Sequence, residues 1–248
     1  KVKTEDTSAL GQLRHVLVFI SNFQFSTIVV DTGNISQISV HSPEDATTNP
    51  SLILAATNSD TTSEHIESAI QFAVSEYLKT QQPVTAPKRK GRKPAKAKVE
   101  EPIPEPIIRF VWAELSAEEQ DVIMGIAIDK VAVNFGAAIS KIVPGFVSTE
   151  VDARLSFDEK SSVARAKRII SYYEDMGVSK DRILIKIAST WEGIQATKKY
   201  SISSFRLQKD GINCNATLIF SIVQAVACAE SKVKLISPFV GRIYDWFK

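Results

Sequence analysis

The feature that most constrains this chain is the repeated alternation of short β-rich runs with longer amphipathic or buried helical segments. Such βα repeats predict an α/β fold with a parallel sheet, closed or open, because each helix returns the chain to the same end of the sheet. Six strands are predicted, at 27–30, 46–48, 146–151, 183–187, 213–217 and 234–237. Helices are predicted at 63–79, 120–142, 158–176, 191–199 and 218–229.

Composition favours one large globular domain covering residues 1–248. The 248 residues are 44% hydrophobic and 23% charged, which is enough apolar material for a sizeable core. The two cysteines, Cys214 and Cys228, lack the spacing of a metal site or a disulfide framework, so a reducing compartment is predicted. The apolar stretch Val16 to Ile20 is too short to cross a bilayer, and no membrane or secretory role is predicted.

The net charge of +2 conceals a basic segment within an otherwise mildly acidic chain. Seven lysines and arginines lie between Lys88 and Lys98 without an acidic residue, which leaves 23 of the 30 basic residues against 28 acidic ones elsewhere. The surrounding residues, about 80–119, are rich in Pro, Lys and Glu and are predicted to form a disordered insertion. The basic run is interpreted as a solvated linker in preference to a nuclear-import signal or a nucleic-acid contact.

One predicted strand carries a lysine among apolar residues. Strand side chains alternate faces, so Lys186 shares a face with Leu184 and Ala188, opposite the three isoleucines of the same run. Apolar surroundings disfavour an ammonium and favour a neutral amine, which attacks carbonyls and forms Schiff bases. The structural alternative is an ordinary surface or salt-bridged lysine, and it stays open on this evidence alone.

Polar residues end the other predicted strands at the edge where the active sites of β/α barrels lie. Each one also has a structural interpretation. Asp31 would form a turn, Asn49 before Pro50 has the signature of a helix N-cap, and Glu150 and Asp152 would both pair with Arg154. Their joint placement nevertheless favours a catalytic group, which comprises Asp31, Asn49, Glu150, Lys186, Asn215 and Ser237.

Several motifs together resemble the transaldolase family of the pentose phosphate pathway. They cover nearly all of the chain from about Phe25 to Trp246 except the insertion, and they are Asp31 to Gly33, Asp45 to Ile53, Val147 to Asp158, Ile183 to Gln195, Cys214 to Leu218 and Ile236 to Ile243. The resemblance implies a (β/α)8 TIM barrel and transfer of a dihydroxyacetone unit from sedoheptulose 7-phosphate to glyceraldehyde 3-phosphate. It implies no metal and no organic cofactor. It also implies a cytoplasmic location. The oligomeric state is left open, with a homodimer as one possibility.

The resemblance also implies roles for individual residues. The catalytic group would be Lys186 as the Schiff-base nucleophile, Glu150 as the acid/base acting through water, Asp31 as the base for the C4 hydroxyl, and Thr217 as a support for that water. Asn49, Asn215 and Ser237 would hold the hydroxyls of the three-carbon unit. Arg242 would bind the substrate phosphate, with a rim salt bridge as its structural alternative.

The chain also differs from the family. The family continues beyond the motif matched here by Asp245-Trp246, so the resemblance implies a barrel truncated after its sixth strand. The segments Val16 to Gln24 and Tyr200 to Arg206 look foreign to the family, and the first is compatible with translation of an unspliced intron. Three hypotheses follow: an active transaldolase, an inactive fragment or gene-model artefact, and a nuclear or nucleic-acid-associated protein that uses the run from Lys88 to Lys98.

Overall fold

The computed structural model of the protein describes residues 27, 29–41, 43–57, 63–81, 112–198 and 207–248. The basic run from Lys88 to Lys98 and the segments Val16 to Gln24 and Tyr200 to Arg206 lie outside these residues. The predictions that concern them therefore stay predictions.

Six parallel strands form a single sheet in the order β1-β2-β3-β4-β5-β6. The strands are β1 (Val29–Asp31), β2 (Asp45–Thr47), β3 (Val147–Glu150), β4 (Ile183–Ala188), β5 (Asn213–Ile219) and β6 (Leu235–Pro238). All six predicted strands are confirmed, and every strand end lies within two residues of its predicted position. Neighbours in sequence are neighbours in the sheet, so every polar strand end lies on the same edge.

Eight α-helices are described, and they connect or follow the strands. They are α1 (Ile35–His41), α2 (Pro50–Ala56), α3 (Ser63–Gln81), α4 (Ala117–Ser140), α5 (Glu159–Asp175), α6 (Trp191–Thr197), α7 (Ile222–Glu230) and α8 (Val240–Phe247). The five predicted helices are present, whereas α1 and α8 were not predicted and α2 was foreseen only as a helix start. Both α1 and α8 are of eight residues or fewer, which is too short for a periodic apolar pattern to stand out.

The predicted start of helix α7 at Leu218 was wrong. Leu218 and Ile219 are the last two residues of β5, and the φ of 59° at Leu218 interrupts the regular strand geometry. The helix begins only after Ser221, whose side chain accepts a hydrogen bond from the backbone N–H of Gln224 as an N-cap. The apolar run Leu218 to Val223 therefore spans two elements, which apolar character alone does not separate.

The main core lies between the outer face of the sheet and helices α3, α4 and α5. Ile183, Ile185 and Ile187 of β4 are buried on this face and belong to one apolar cluster with residues of α5 such as Ile169 and Tyr173. The alternation predicted for β4 is thus confirmed, since the isoleucines face the helices and Lys186 faces the sheet interior. Gly177 and Gly211, at φ values of 75° and 76°, follow α5 and a short 3₁₀ turn, where glycine is favoured because the backbone is left-handed.

Helix α4 is the longest described helix, and its start narrows the predicted insertion. It begins at Ala117, after a capping box formed by Ser116 and Glu119, and α3 continues to Gln81. The insertion predicted at about 80–119 therefore overlaps the end of α3 and the start of α4. By length and composition alone α4 is apolar enough to cross a membrane, but 61% of its most apolar window is buried inside the fold. A core helix has the same properties.

Candidate functional site

The carboxyl ends of three neighbouring strands align Glu150, Lys186 and Asn215 in one row. Glu150 of β3 is in register with Lys186 of β4, which is in register with Asn215 of β5. Partners in parallel register present their side chains on the same face of a sheet. The three side chains therefore share the interior face, opposite the core helices, as the joint placement of polar strand ends predicted.

Lys186 lies in surroundings that are more polar than the sequence predicted. The side chain is buried, with the residue only 6% exposed. Its Nζ lies 3.6 Å from Oε2 of Glu150 and donates a hydrogen bond of 3.4 Å to the carbonyl oxygen of Thr48. The apolar neighbours predicted for Lys186 are those of β4 itself. The adjacent strands place the carboxylate of Glu150 and the amide of Asn215 in register with Lys186.

Glu150 combines burial with a nearby cation. Burial raises its pKa above the ordinary glutamate value of 4.5, the ammonium of Lys186 opposes that rise, and the charges of Asp31 and Asp152 add to it. The structural alternative in which Arg154 pairs with both carboxylates is confirmed for Asp152 and not found for Glu150. Arg154 pairs with Asp152, at 2.7 Å, because Glu150 ends β3 facing inward while Asp152 lies beyond the strand.

Asp31 ends β1 on the same interior face. It is in register with Thr47 of β2, which is in register with Ser148 of β3. Asp31 is exposed, and its carboxylate acts on Glu150 by raising the pKa of that residue. The Asp31 carboxylate thus lies close enough to Glu150 to act on its charge.

Asn49 has the structural role that was proposed as its alternative to substrate binding. Its Oδ1 accepts a hydrogen bond of 2.9 Å from the backbone N–H of Leu52 and caps helix α2, whose first residue is Pro50. This bond leaves the Nδ2 group as the donor that a substrate hydroxyl would meet. The two interpretations of Asn49 are therefore compatible.

Asn215 and Ser237 are brought together as predicted for neighbouring members of one site. The Ser237 hydroxyl donates to Oδ1 of Asn215 at 2.8 Å, and Nδ2 of Asn215 donates to Oγ of Ser148 at 3.2 Å. Ser148 was missed as a site residue. The signal that would have found it is strand alternation, since Ser148 lies two residues before Glu150 and shares its face.

Two threonine hydroxyls are buried and find no hydrogen-bond partner among the described residues. One is Oγ1 of Thr217, which is in register with Ala188 at the end of β4, and the other is Oγ1 of Thr47. Buried hydroxyls are normally bonded to protein or to ordered water. Thr217 was predicted to support a water molecule, and a water molecule would supply the hydrogen bond that its buried hydroxyl lacks among the described residues.

Arg242 lies apart from the cluster of strand-end residues. It is an exposed residue of α8, the helix that follows β6. Within the described residues it forms no ion pair, so the rim salt bridge offered as its structural alternative is not found there. Its predicted role as a phosphate ligand stays a prediction.

A cavity of about 640 Å³ opens beside Glu150 and Asn49. Its wall is mostly apolar and comes from α2, α3 and α4, with Ile53, Ile70 and Ile128 among its residues. Lys186 is not among its lining residues, but Glu150 and Thr48, the two residues that its Nζ contacts, both line the cavity. In the described part of the chain no group of three or more His, Cys, Asp or Glu side chains is placed to hold a metal ion.

A buried lysine thus lies beside a carboxylate at the carboxyl edge of a parallel α/β sheet, the edge at which the active sites of β/α barrels lie. The family model described as transaldolase/fructose-6-phosphate aldolase matches residues 105–248. The chain belongs to this family.

Curated relatives resemble the chain over nearly its whole length. It is 47% identical over 239 residues to "Transaldolase" of Homo sapiens, an alignment that covers 96% of this chain and 55% of that protein. It is 46% identical over 225 residues to "Transaldolase A" of Escherichia coli strain K12, covering 91% of this chain and 56% of that protein. The chain thus spans about half the length of these relatives.

Proposed function

We propose that this chain is a transaldolase that transfers a dihydroxyacetone unit from sedoheptulose 7-phosphate to glyceraldehyde 3-phosphate through a Schiff base on Lys186. The observation that carries the proposal is the placement of the Lys186 amine, buried and 3.6 Å from the carboxylate of Glu150. The six parallel strands correspond in this proposal to part of a (β/α)8 barrel, and they carry every strand-end residue of the site. A cytoplasmic location is proposed with this activity.

Glu150 would supply the proton that formation of the Schiff base requires. The Lys186 amine attacks the ketose C2 carbonyl, and the resulting carbinolamine loses its hydroxyl as water when Glu150 delivers a proton through a bound water molecule. A raised pKa suits this role, because a carboxyl group whose pKa is raised keeps its proton to a higher pH and can then donate it. The hydroxyl of Thr217, which has no hydrogen-bond partner among the described residues, would hold the water.

Asp31 would then break the carbon–carbon bond. Its carboxylate takes the proton of the C4 hydroxyl, the C4 oxygen becomes an aldehyde, and the electron pair of the C3–C4 bond passes into the iminium to give an enamine. The released product is erythrose 4-phosphate. Attack of the enamine on glyceraldehyde 3-phosphate, followed by hydrolysis, gives fructose 6-phosphate and free Lys186.

The amides and the serine of the site would retain the three-carbon unit between these two half-reactions. Asn49 offers its Nδ2 group, and Asn215 and Ser237 form a bonded pair on the interior face. Arg242 would contribute a charge-assisted donor to the phosphate of the substrate.

Borohydride trapping with fructose 6-phosphate, followed by peptide mass mapping, tests the proposal. We expect a reduced three-carbon adduct on Lys186. Lys130 of α4 is the matched control, because it is also buried, at 8% exposure, but lies over the ring of Phe72 at 4.8 Å and away from the site. The Lys186→Arg variant should abolish the adduct and Lys130→Arg should retain it.

The same experiment separates the proposal from the fragment hypothesis. If a full-length transaldolase is labelled while this chain is not, the chain is inactive and its motifs reflect ancestry alone. An adduct on Lys130 or on exposed lysines in place of Lys186 would contradict the assignment of the nucleophile.

A further inference from the structure

Ser148 is a buried serine on the interior face of β3 to which the proposed reaction assigns no role. It is 2% exposed and lies in register with Leu184 of β4. The next residue, Thr149, faces the opposite way, where its hydroxyl shares a hydrogen bond of 2.5 Å with the hydroxyl of Tyr173 on α5. Ser148 and Thr149 therefore place two buried hydroxyls on opposite faces of one strand.

The hydrogen bond from Asn215 to Ser148 crosses an intervening strand. Asn215 lies on β5 and Ser148 on β3, with β4 between them in the sheet. Asn215 is in register with Lys186, and Ser148 is in register with Leu184, two residues earlier on β4. The Asn215 amide thus reaches across the interior face of β4 towards the amino-terminal side of Lys186.

Two serines hold the Asn215 amide at its opposite ends. Ser237 bonds to Oδ1 and Ser148 to Nδ2. The terminal torsion of asparagine is broad, so one anchor alone leaves the amide plane free to turn. Two anchors fix that plane, and an asparagine amide bonded in this way retains one N–H and one acceptor lone pair for a ligand.

We propose that Ser148 is a positioning residue that fixes the Asn215 amide in the orientation required to bind the hydroxyls of the donor ketose. The proposal rests on the proposed function for the identity of that ligand. Ser148 itself touches neither the substrate nor the reacting atoms. It acts through Asn215, whereas Ser237 lies on the side of Asn215 away from β3.

Kinetics of a double-mutant cycle provide the first test. Ser148→Ala should raise KM for fructose 6-phosphate about tenfold with kcat changed less than threefold, because one hydrogen bond that organises a binding group is lost. The same substitution in an Asn215→Ala background should change KM less than twofold. Thr149→Val, which removes the neighbouring buried hydroxyl from the opposite face, is the control and should leave KM unchanged.

Additive effects of Ser148→Ala and Asn215→Ala would overturn the proposal, because a serine that acts only through Asn215 has no effect without it. If Ser148→Ala does not fold, Ser148→Cys replaces it, since the thiol preserves the volume and accepts hydrogen bonds only weakly.

NMR of the Asn215 side chain provides a test that does not depend on activity. The Nδ2 resonances are identified by their loss in Asn215→Ala. We expect at least tenfold faster solvent exchange of these protons in Ser148→Ala and no change in Thr149→Val. Unchanged exchange and chemical shifts in Ser148→Ala would overturn the proposal.

The two measurements also separate the failure of this proposal from failure of the proposed function. If the wild type forms no adduct with fructose 6-phosphate, the transaldolase activity is rejected while the NMR result still decides whether Ser148 holds Asn215. If the adduct forms and the NMR signals of Asn215 are the same in the wild type and in Ser148→Ala, only the positioning role is rejected.

Discussion

Lys186 Nζ and Glu150 Oε2 lie 3.6 Å apart on neighbouring strands whose register aligns the two residues. This relationship couples the charge of each group to that of the other. Burial raises the pKa of Glu150, and the ammonium of Lys186 opposes that rise. The pair therefore places the amine of a buried lysine beside a partly buried carboxylate on the interior face of the sheet.

The charge of Glu150 should make stability depend on pH. Its pKa is raised above the ordinary 4.5, mainly by burial, so the folded state holds this proton more tightly than the unfolded chain does. Between 4.5 and the raised pKa the folded state carries more protons, and stability falls as pH rises through that window. We expect Tm of the wild type to decrease with rising pH relative to Glu150→Gln, which does not titrate.

Thermal unfolding of both proteins at intervals of pH measures this difference. Glu118→Gln changes an exposed glutamate of α4 and serves as the matched control. Parallel Tm profiles for the wild type and Glu150→Gln would contradict the expectation.

Substitution of Asn49 should separate its structural role from its role in binding. Asn49→Ser retains an N-cap oxygen for Leu52 N–H and removes the amide donor, so stability should change by less than about 0.5 kcal/mol while adduct formation on Lys186 falls. Asn49→Ala should lose about 1 kcal/mol of stability as well. Denaturant unfolding and borohydride trapping of both variants measure the two effects, and full trapping by Asn49→Ser would exclude a binding role.

Gly136 of α4 should not tolerate a side chain. A Cβ at this position would lie 1.7 Å from the hydroxyl oxygen of Tyr173, so Gly136→Ala should destabilise the protein by about 1–3 kcal/mol, although alanine ordinarily favours a helix. Tyr173→Phe removes that oxygen and should recover part of the loss in the double variant. Gly241→Ala on α8, where a Cβ meets nothing within 4 Å, is the control in denaturant unfolding.

The buried ion cluster around Asp129 should contribute far more than a surface pair. Its Oδ2 lies 3.0 Å from Arg165 and 2.6 Å from Arg168, with the Asp129 side chain 4% exposed. Asp129→Asn leaves two partly buried guanidinium groups without their counter-charge and should cost about 3–5 kcal/mol. Glu76→Gln, which breaks an exposed pair with Lys79, should cost less than about 1 kcal/mol in the same unfolding experiment.

Alternation and strand-end chemistry in the sequence predicted much of the fold and the placement of the strand-end residues on one edge of the sheet. The six strands, the inward face of Lys186 and the helix start at Asn49 all depend on residues within a few positions of one another. Such local patterns are visible in sequence because the period of a strand and the geometry of a cap are fixed. The short helices α1 and α8 escaped prediction because they contain about two turns or fewer.

The sequence by itself determined which polar residues lie at the carboxyl edge of the sheet, and the motifs indicated the family. Only the tertiary structure decided that Glu150 pairs with Lys186 while Arg154 pairs with Asp152. It also decided that Asn215 reaches Ser148, 67 positions away, across an intervening strand. Register and sheet curvature set these distances, and both arise from packing between segments far apart in the chain, which no local pattern records.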